Sequence, residues 1–201
     1  MPARVIVLAG PSGSGKSRLA GRLAQEQGWP TLRLDDFYKD AGDPSLPLIG
    51  EGPNEGLVDW DHPDSWRRDD AVAALLALCR TGSVDVPVYS IAESRHTGTE
   101  HLTLDGATAF CAEGIFAPEV VAAVREAGLL AAAYCITQHP VVTFWRRLTR
   151  DLREHRKPPL VLLRRGMALL RDQRRVVAHA EALGCRVATP EEAYRRIRRL
   201  M

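Results

Sequence analysis

Hydrophobic positions along the chain fall into short unbroken runs separated by amphipathic stretches. Arg4–Ala9 (RVIVLA) is β-branched and continuous, the pattern of a central parallel strand covered on both faces. Similar runs predict strands at Thr31–Leu34, Thr108–Glu113, Leu129–Ile136 and Arg186–Ala188. Between them, helical periodicity predicts helices over Ser17–Gln27, Trp66–Arg80 with Ser65 as its cap, and Pro118–Ala127. A strongly amphipathic helix is expected from Pro140 to about His155. Val141, Trp145, Leu148 and Leu152 form one stripe of it, and Arg146, Arg150, Arg153 and Lys157 another. Pro158 and Pro159 break it, a second helix runs from Leu160 to Leu183 and ends at Gly184, and Pro190 opens a terminal helix. Val84–Tyr89 and Glu100–Leu104 read as the arms of a small β excursion. Residues 40–64, rich in Gly, Pro and Asp, read as a long loop of the kind that is usually functional. Strands alternating with helices predict a doubly wound parallel α/β sheet in one domain over residues 1–201, with an inserted flap at about 84–104.

Composition narrows this little. With 201 residues, 45% hydrophobic and 26% charged, the chain can bury a core without staples, and disorder and collagen-like repeats are excluded. An apolar run long enough to span a bilayer is absent, and the opening MPARVIVLAG reads as a strand leading into a glycine loop, not as a signal peptide. Cys79, Cys111, Cys135 and Cys185 are far apart with no CxxC pair, so buried thiols and a reducing cytoplasm are expected. The six histidines show no paired spacing that would support metal ligation.

Charge does change the picture. Residues 1–139 hold 11 Lys and Arg against 19 Asp and Glu, whereas residues 140–201 hold 16 against 6, hidden within a total of +2. Such a basic section suits either a nucleic-acid or membrane surface, or an arginine-rich part of a phosphate-handling enzyme.

The motif Gly10-Pro11-Ser12-Gly13-Ser14-Gly15-Lys16-Ser17 bears on this choice. It is a full GxxxxGK[ST] match that follows a buried strand and opens a helix, the context that a phosphate-binding loop requires. Glycines let backbone N–H groups converge on a phosphate, and the helix N-terminus adds positive potential. Lys16 is then expected to reach the β/γ-phosphates of ATP, and the Ser17 hydroxyl to ligate Mg²⁺. The expected fold is a P-loop NTPase three-layer sandwich around a central parallel sheet, plus a small β flap and a helical lid at about 150–160. Size argues against motors, and GTPase motifs do not stand at the positions required. What does stand after the second strand is Asp35-Asp36-Phe37-Tyr38, where a carboxylate can accept a hydroxyl proton near the γ-phosphate or help hold Mg²⁺. Glu113, at the end of a later strand, is a second acidic candidate.

In order, the segments GPSGSGKS, LDDFYK, VDWDHPDSW, VPVYSIAESR, CAEGIF and RRLTRD resemble the uridine kinase branch of the phosphate-loop kinases, a group close to phosphoribulokinase and bacterial pantothenate kinase. The resemblance extends over most of residues 4–157. It implies Asp35 as catalytic base, Tyr38, Asp61, Tyr89 and Arg95 as acceptor contacts with Asp61 on sugar hydroxyls, and Ser17, Asp35 and Glu113 around Mg²⁺. It also implies Arg147 and Arg150 on the lid helix as a clamp on the γ-phosphate. The run after Tyr89 departs from the family: Glu93 stands where a base-reading His is usual, and His96 is out of register.

The resulting expectation is a cytoplasmic, ATP- and Mg²⁺-dependent kinase of a nucleoside-like small molecule such as uridine or cytidine, without nucleic-acid or membrane partners. Pantothenate-like or sugar acceptors, a regulatory module without catalysis, and a nucleic-acid-binding NTPase stay open beside it. The helix over 160–183 and the terminal helix are the candidate face of a homo-oligomer, which the sequence does not decide.

Overall fold

Strand β1 (Arg4–Ala9) shows why the sequence needs two covering layers. Val5, Val7 and Ala9 join one buried cluster and Ile6 and Leu8 another, so every position beyond Arg4 is apolar because both faces are covered. The computed structural model describes residues 2–52, 54–138 and 174–200. Within them, β1 lies at the centre of a five-stranded sheet of order β2-β5-β1-β6-β7. The other strands are β2 (Thr31–Arg33), β5 (Ala109–Glu113), β6 (Leu130–Ile136) and β7 (Arg186–Ala188), and every pairing is parallel.

Helix α1 (Lys16–Gln27) lays Leu19, Ala20 and Leu23 on one face of the sheet, beside Ala193, Tyr194 and Ile197 of the terminal helix α5 (Pro190–Ile197). Helix α2 (Arg68–Thr81) covers the other face with Ala71, Ala74, Leu75 and Leu78, next to Val121 and Val124 of α3 (Val121–Glu126) and Ala180 of α4, at 174–182. This is the α/β three-layer P-loop architecture that the alternating pattern predicts. Thr189 and Glu192 close a reciprocal capping box at the start of α5, with Pro190 in its first turn.

A separate antiparallel ribbon joins β3 (Ser83–Ser90) and β4 (Arg95–Thr103), with Val86 opposite Glu100. Its second arm begins five residues earlier than the expected Glu100. The segment RHTGTE is mostly solvent-facing and carries no apolar alternation to read.

Two helix starts also differ. Ser65 does not cap α2, because Trp66 is extended and turned inward, where its Nε1 donates to the Leu34 carbonyl at 2.7 Å. The buried Ser65 hydroxyl instead donates to the carbonyls of His62 and Trp60, and the helix starts at Arg68 without a side-chain cap. The segment expected as one helix from Pro118 is a 3₁₀ turn, Ala117–Val120, followed by α3. The helix from Pro140 to His155, the start of the next one, the lid at 150–160, Arg147 and Arg150 lie outside the described residues.

Candidate active site

The carboxyl ends of β1, β2 and β5 meet at one edge of the sheet, and the chemistry-bearing residues follow each of them. After β1 the chain must pass close to β6. A Cβ on Gly10 would stand 2.3 Å from the Ile136 carbonyl oxygen, and the φ of +130° is open only to glycine. The loop then leads through Pro11, Ser12, Gly13 and Ser14 to Gly15, a left-handed residue that starts α1 with no side-chain cap and no acidic residue in the first turn. The N-terminal N–H groups of α1 therefore present their positive end to an anion. The Ser14 hydroxyl is buried and has no hydrogen-bond partner among the described residues, a polar atom suited to a ligand oxygen. Lys16 folds back over the loop, its Nζ donating to the carbonyls of Gly10 at 2.8 Å and Pro11 at 3.2 Å. These features fit a bound triphosphate.

Two carboxylates face this loop. Glu113, at the end of β5, accepts from the Ser17 hydroxyl at 2.9 Å, so two oxygen donors of the kind a hard divalent cation takes stand together. Asp35 follows β2 in a 3₁₀ turn (Leu34–Phe37), and its Oδ1 accepts the Ile115 N–H at 2.9 Å. That contact depends on Gly114, because a Cβ there would stand 2.7 Å from the same oxygen. Burial pushes the Asp35 carboxyl above its usual range, while the Lys16 ammonium and the Ile115 amide act in the opposite direction. Glu113 is raised for the same reason, against Lys16 and Ser17. Carboxylates that hold protons more tightly than free ones, beside a phosphate loop, have the chemistry of a general base.

Asp36, the second aspartate of the pair, has a different task. It is buried, takes the Arg33 guanidinium at 2.7 and 2.9 Å, and accepts the Tyr89 N–H at 3.2 Å. Tyr38 then packs against Trp60, Tyr89 and Phe116 with ring centroids 5.7–5.9 Å apart, an aromatic wall beside the Asp35 turn. Burial raises the Tyr89 phenol to about 12, so it is a neutral donor, and its hydroxyl bonds the Lys39 carbonyl at 3.2 Å. Asp61 lies exposed next to Trp60, and its carboxylate has no hydrogen-bond partner among the described residues. Arg95 lies at the ribbon turn and pairs with Glu93. Among the described residues, no cluster of three or more His, Cys, Asp or Glu could hold a metal ion. All four cysteines are buried and unpaired.

Sequence reasoning missed Asp36 as a tie between elements, Gly114 and Ile115 as the seat of Asp35, and Phe116 as part of the wall. The first signal was the doubled aspartate, and the others lay in CAEGIF next to Glu113. His96, dismissed on register, is brought against Tyr89 by the ribbon, with centroids 5.4 Å apart.

A family model described as an AAA domain matches residues 5–80. A uridine kinase from Shewanella pealeana is 31% identical over 158 residues, covering 75% of this chain and 70% of that protein. A uridine kinase from Histophilus somni is 34% identical over 106 residues, 49% of this chain and 46% of the relative, so the chain spans about half the length of that protein. A crystal structure from Silicibacter sp. TM1040, provisionally assigned as a fructose transport system kinase, superposes with a TM-score of 0.61. It covers 94% of this chain and 88% of that one at 19% identity, a likeness of fold.

Proposed function

This chain belongs to the uridine kinase-like family of P-loop kinases, and on that premise we propose that it transfers the γ-phosphate of ATP to a hydroxyl of a nucleoside-like acceptor, uridine or cytidine. The observation that carries this reading is the meeting of Asp35, Glu113, Lys16 and Ser17 at the mouth of the phosphate loop, beside the wall of Tyr38, Trp60, Tyr89 and Phe116. In this scheme residues 10–17 hold the triphosphate. Asp35 takes the proton of the acceptor hydroxyl, the freed oxygen attacks the γ-phosphorus in line, and the bond from that phosphorus to the β–γ bridging oxygen breaks, releasing ADP. Lys16 holds the phosphate oxygens as charge redistributes. The aromatic wall binds the flat part of the acceptor, and Asp61 takes vicinal hydroxyls. Arg147 and Arg150 are proposed to clamp the γ-phosphate from the lid.

The oxygen donors of Ser17 and Glu113, with Asp35 nearby, fit Mg²⁺, which when bound neutralises charge on the phosphate oxygens. We place the protein in the cytoplasm. Among the described residues no helix is long and apolar enough to cross a membrane.

The test is transfer from γ-labelled ATP to a panel of nucleosides, pantothenate and free or phosphorylated sugars, with Asp35→Asn as control. Label on uridine or cytidine that vanishes in the control supports the proposal. Label on a sugar or pantothenate alone replaces the acceptor, and no label on any compound overturns the kinase reading.

A further inference from the structure

A second polar cluster ties the β3–β4 ribbon to the segment that follows β2. His96 presents Nδ1 to Asp40 Oδ1 at 2.7 Å and Nε2 to the Asp36 carbonyl at 3.1 Å. Its backbone N–H donates to the same Asp40 oxygen at 2.8 Å. Its ring stands edge-on to Tyr89, whose N–H and hydroxyl are themselves bound to Asp36 and Lys39. The Ala41 N–H donates to the Ser94 carbonyl at 2.8 Å, so both arms of the ribbon are fastened to residues 36–41.

An imidazole has two ring nitrogens, and both of these already face oxygens of the chain itself. Neither is left to meet the edge of an acceptor's ring. What the contacts do is set the distance between the turn carrying Asp35 and the strand carrying Tyr89, and so the spacing of the Tyr38–Tyr89 wall. We propose that His96, held by Asp40, is a positioning residue that clamps the ribbon over the acceptor site and does not read the acceptor's heterocycle. The kinetic consequence rests on the kinase reading above; the structural one does not.

The test uses the full chain with His96→Ala, His96→Asn, Asp40→Asn and the His96→Ala/Asp40→Asn double variant. Hydrogen exchange followed by mass spectrometry is expected to show amides of residues 88–97 exchanging about ten-fold faster in His96→Ala and in Asp40→Asn. The double variant should be no faster than either single one, since both remove the same clamp. The Asn variant, which keeps an amide donor near the position of Nδ1, should recover part of the protection, and residues 10–17 should be unchanged. Kinetically, His96→Ala is expected to raise the acceptor KM about ten-fold for every acceptor used, leaving the ATP KM and the ratio between acceptors within two-fold. Unchanged exchange in the ribbon overturns the clamp. A shift of more than ten-fold in the ratio between two acceptors overturns it in favour of a reading role. Should the wild-type protein phosphorylate no acceptor, the kinase proposal fails and the exchange measurement alone decides the clamp.

Discussion

Replacing Gly114 with alanine probes the seat of Asp35 most directly. The backbone at this residue is not in the left-handed region, so alanine meets no conformational barrier and the effect comes from contact alone. The added methyl would stand 2.7 Å from Asp35 Oδ1, 2.9 Å from Leu34 Cβ and 3.3 Å from the Asp35 nitrogen. Ordinary contacts lie at about 3.5–4.0 Å, so the 34–35 segment must retreat by about 0.8–1.3 Å. The oxygen that has to move is the one accepting the Ile115 N–H at 2.9 Å, and that retreat stretches the bond past its useful range. Overpacking of this size costs about 1–3 kcal/mol and loss of a hydrogen bond to a carboxylate about 1.5–3 kcal/mol. One movement relieves the first by sacrificing the second, so the expected total is about 2–4 kcal/mol, or about 5–15 °C in Tm for a chain of this size. On the role proposed for Asp35 as base, its displacement by about 1 Å should lower kcat about 100-fold, with the ATP KM little changed because the phosphate loop is untouched. Differential scanning calorimetry and steady-state kinetics read both quantities. A Gly114→Ala protein within three-fold of wild-type kcat and within 1 °C of its Tm would refute the placement of Asp35 against this amide.

Asp35→Asn should lower turnover by about 10²–10⁴-fold and yet raise Tm at neutral pH. Burial raises the Asp35 carboxyl in the folded protein, so its contribution to stability is complete below its ordinary range and is lost as pH rises through the raised value. The advantage of asparagine should therefore close on acidification, and thermal melts across pH would show the opposite trend if the carboxyl were instead lowered by folding. The same shift should place the acid limb of the wild-type activity profile above the ordinary carboxylate range. Trp66→Phe removes the buried indole donor to the Leu34 carbonyl, which keeps the bonding of its own 3₁₀ turn, costing about 0.5–1.5 kcal/mol, and an unchanged melting temperature would contradict the importance of that 2.7 Å bond.

Strands covered on both faces announce themselves as unbroken apolar runs, and the span of β1 matches RVIVLA residue for residue. The glycine loop was legible for a related reason, since Gly10 and Gly15 occupy backbone conformations that other residues resist. The start of α2 was not legible, because a distant carbonyl, that of Leu34, draws Trp66 out of helical conformation. The polar start of the second arm, Arg95–Thr99, has no pattern of its own and is defined by its partner across the ribbon. The doubled aspartate could be noticed but not divided into roles by sequence alone. Only the fold turns Asp35 toward the Ile115 amide and Asp36 toward Arg33 and Tyr89.

The central place of β1 carries a consequence for how the chain is made. Its neighbours on the two sides begin at Ala109 and Leu130, more than 100 residues further along. At a synthesis rate of about 5–20 residues per second, the most apolar strand waits about 5–20 s before its first partner exists. During that interval it is an unpaired apolar strand, and β5 and β6 complete the sheet by closing around it in long-range steps that are intrinsically slow. The phosphate loop packs against the same late strand, where Gly10 passes close beside the Ile136 carbonyl. Nucleotide binding should thus emerge late in biogenesis, and holdase chaperones that shield extended apolar segments are expected to raise the yield of active protein.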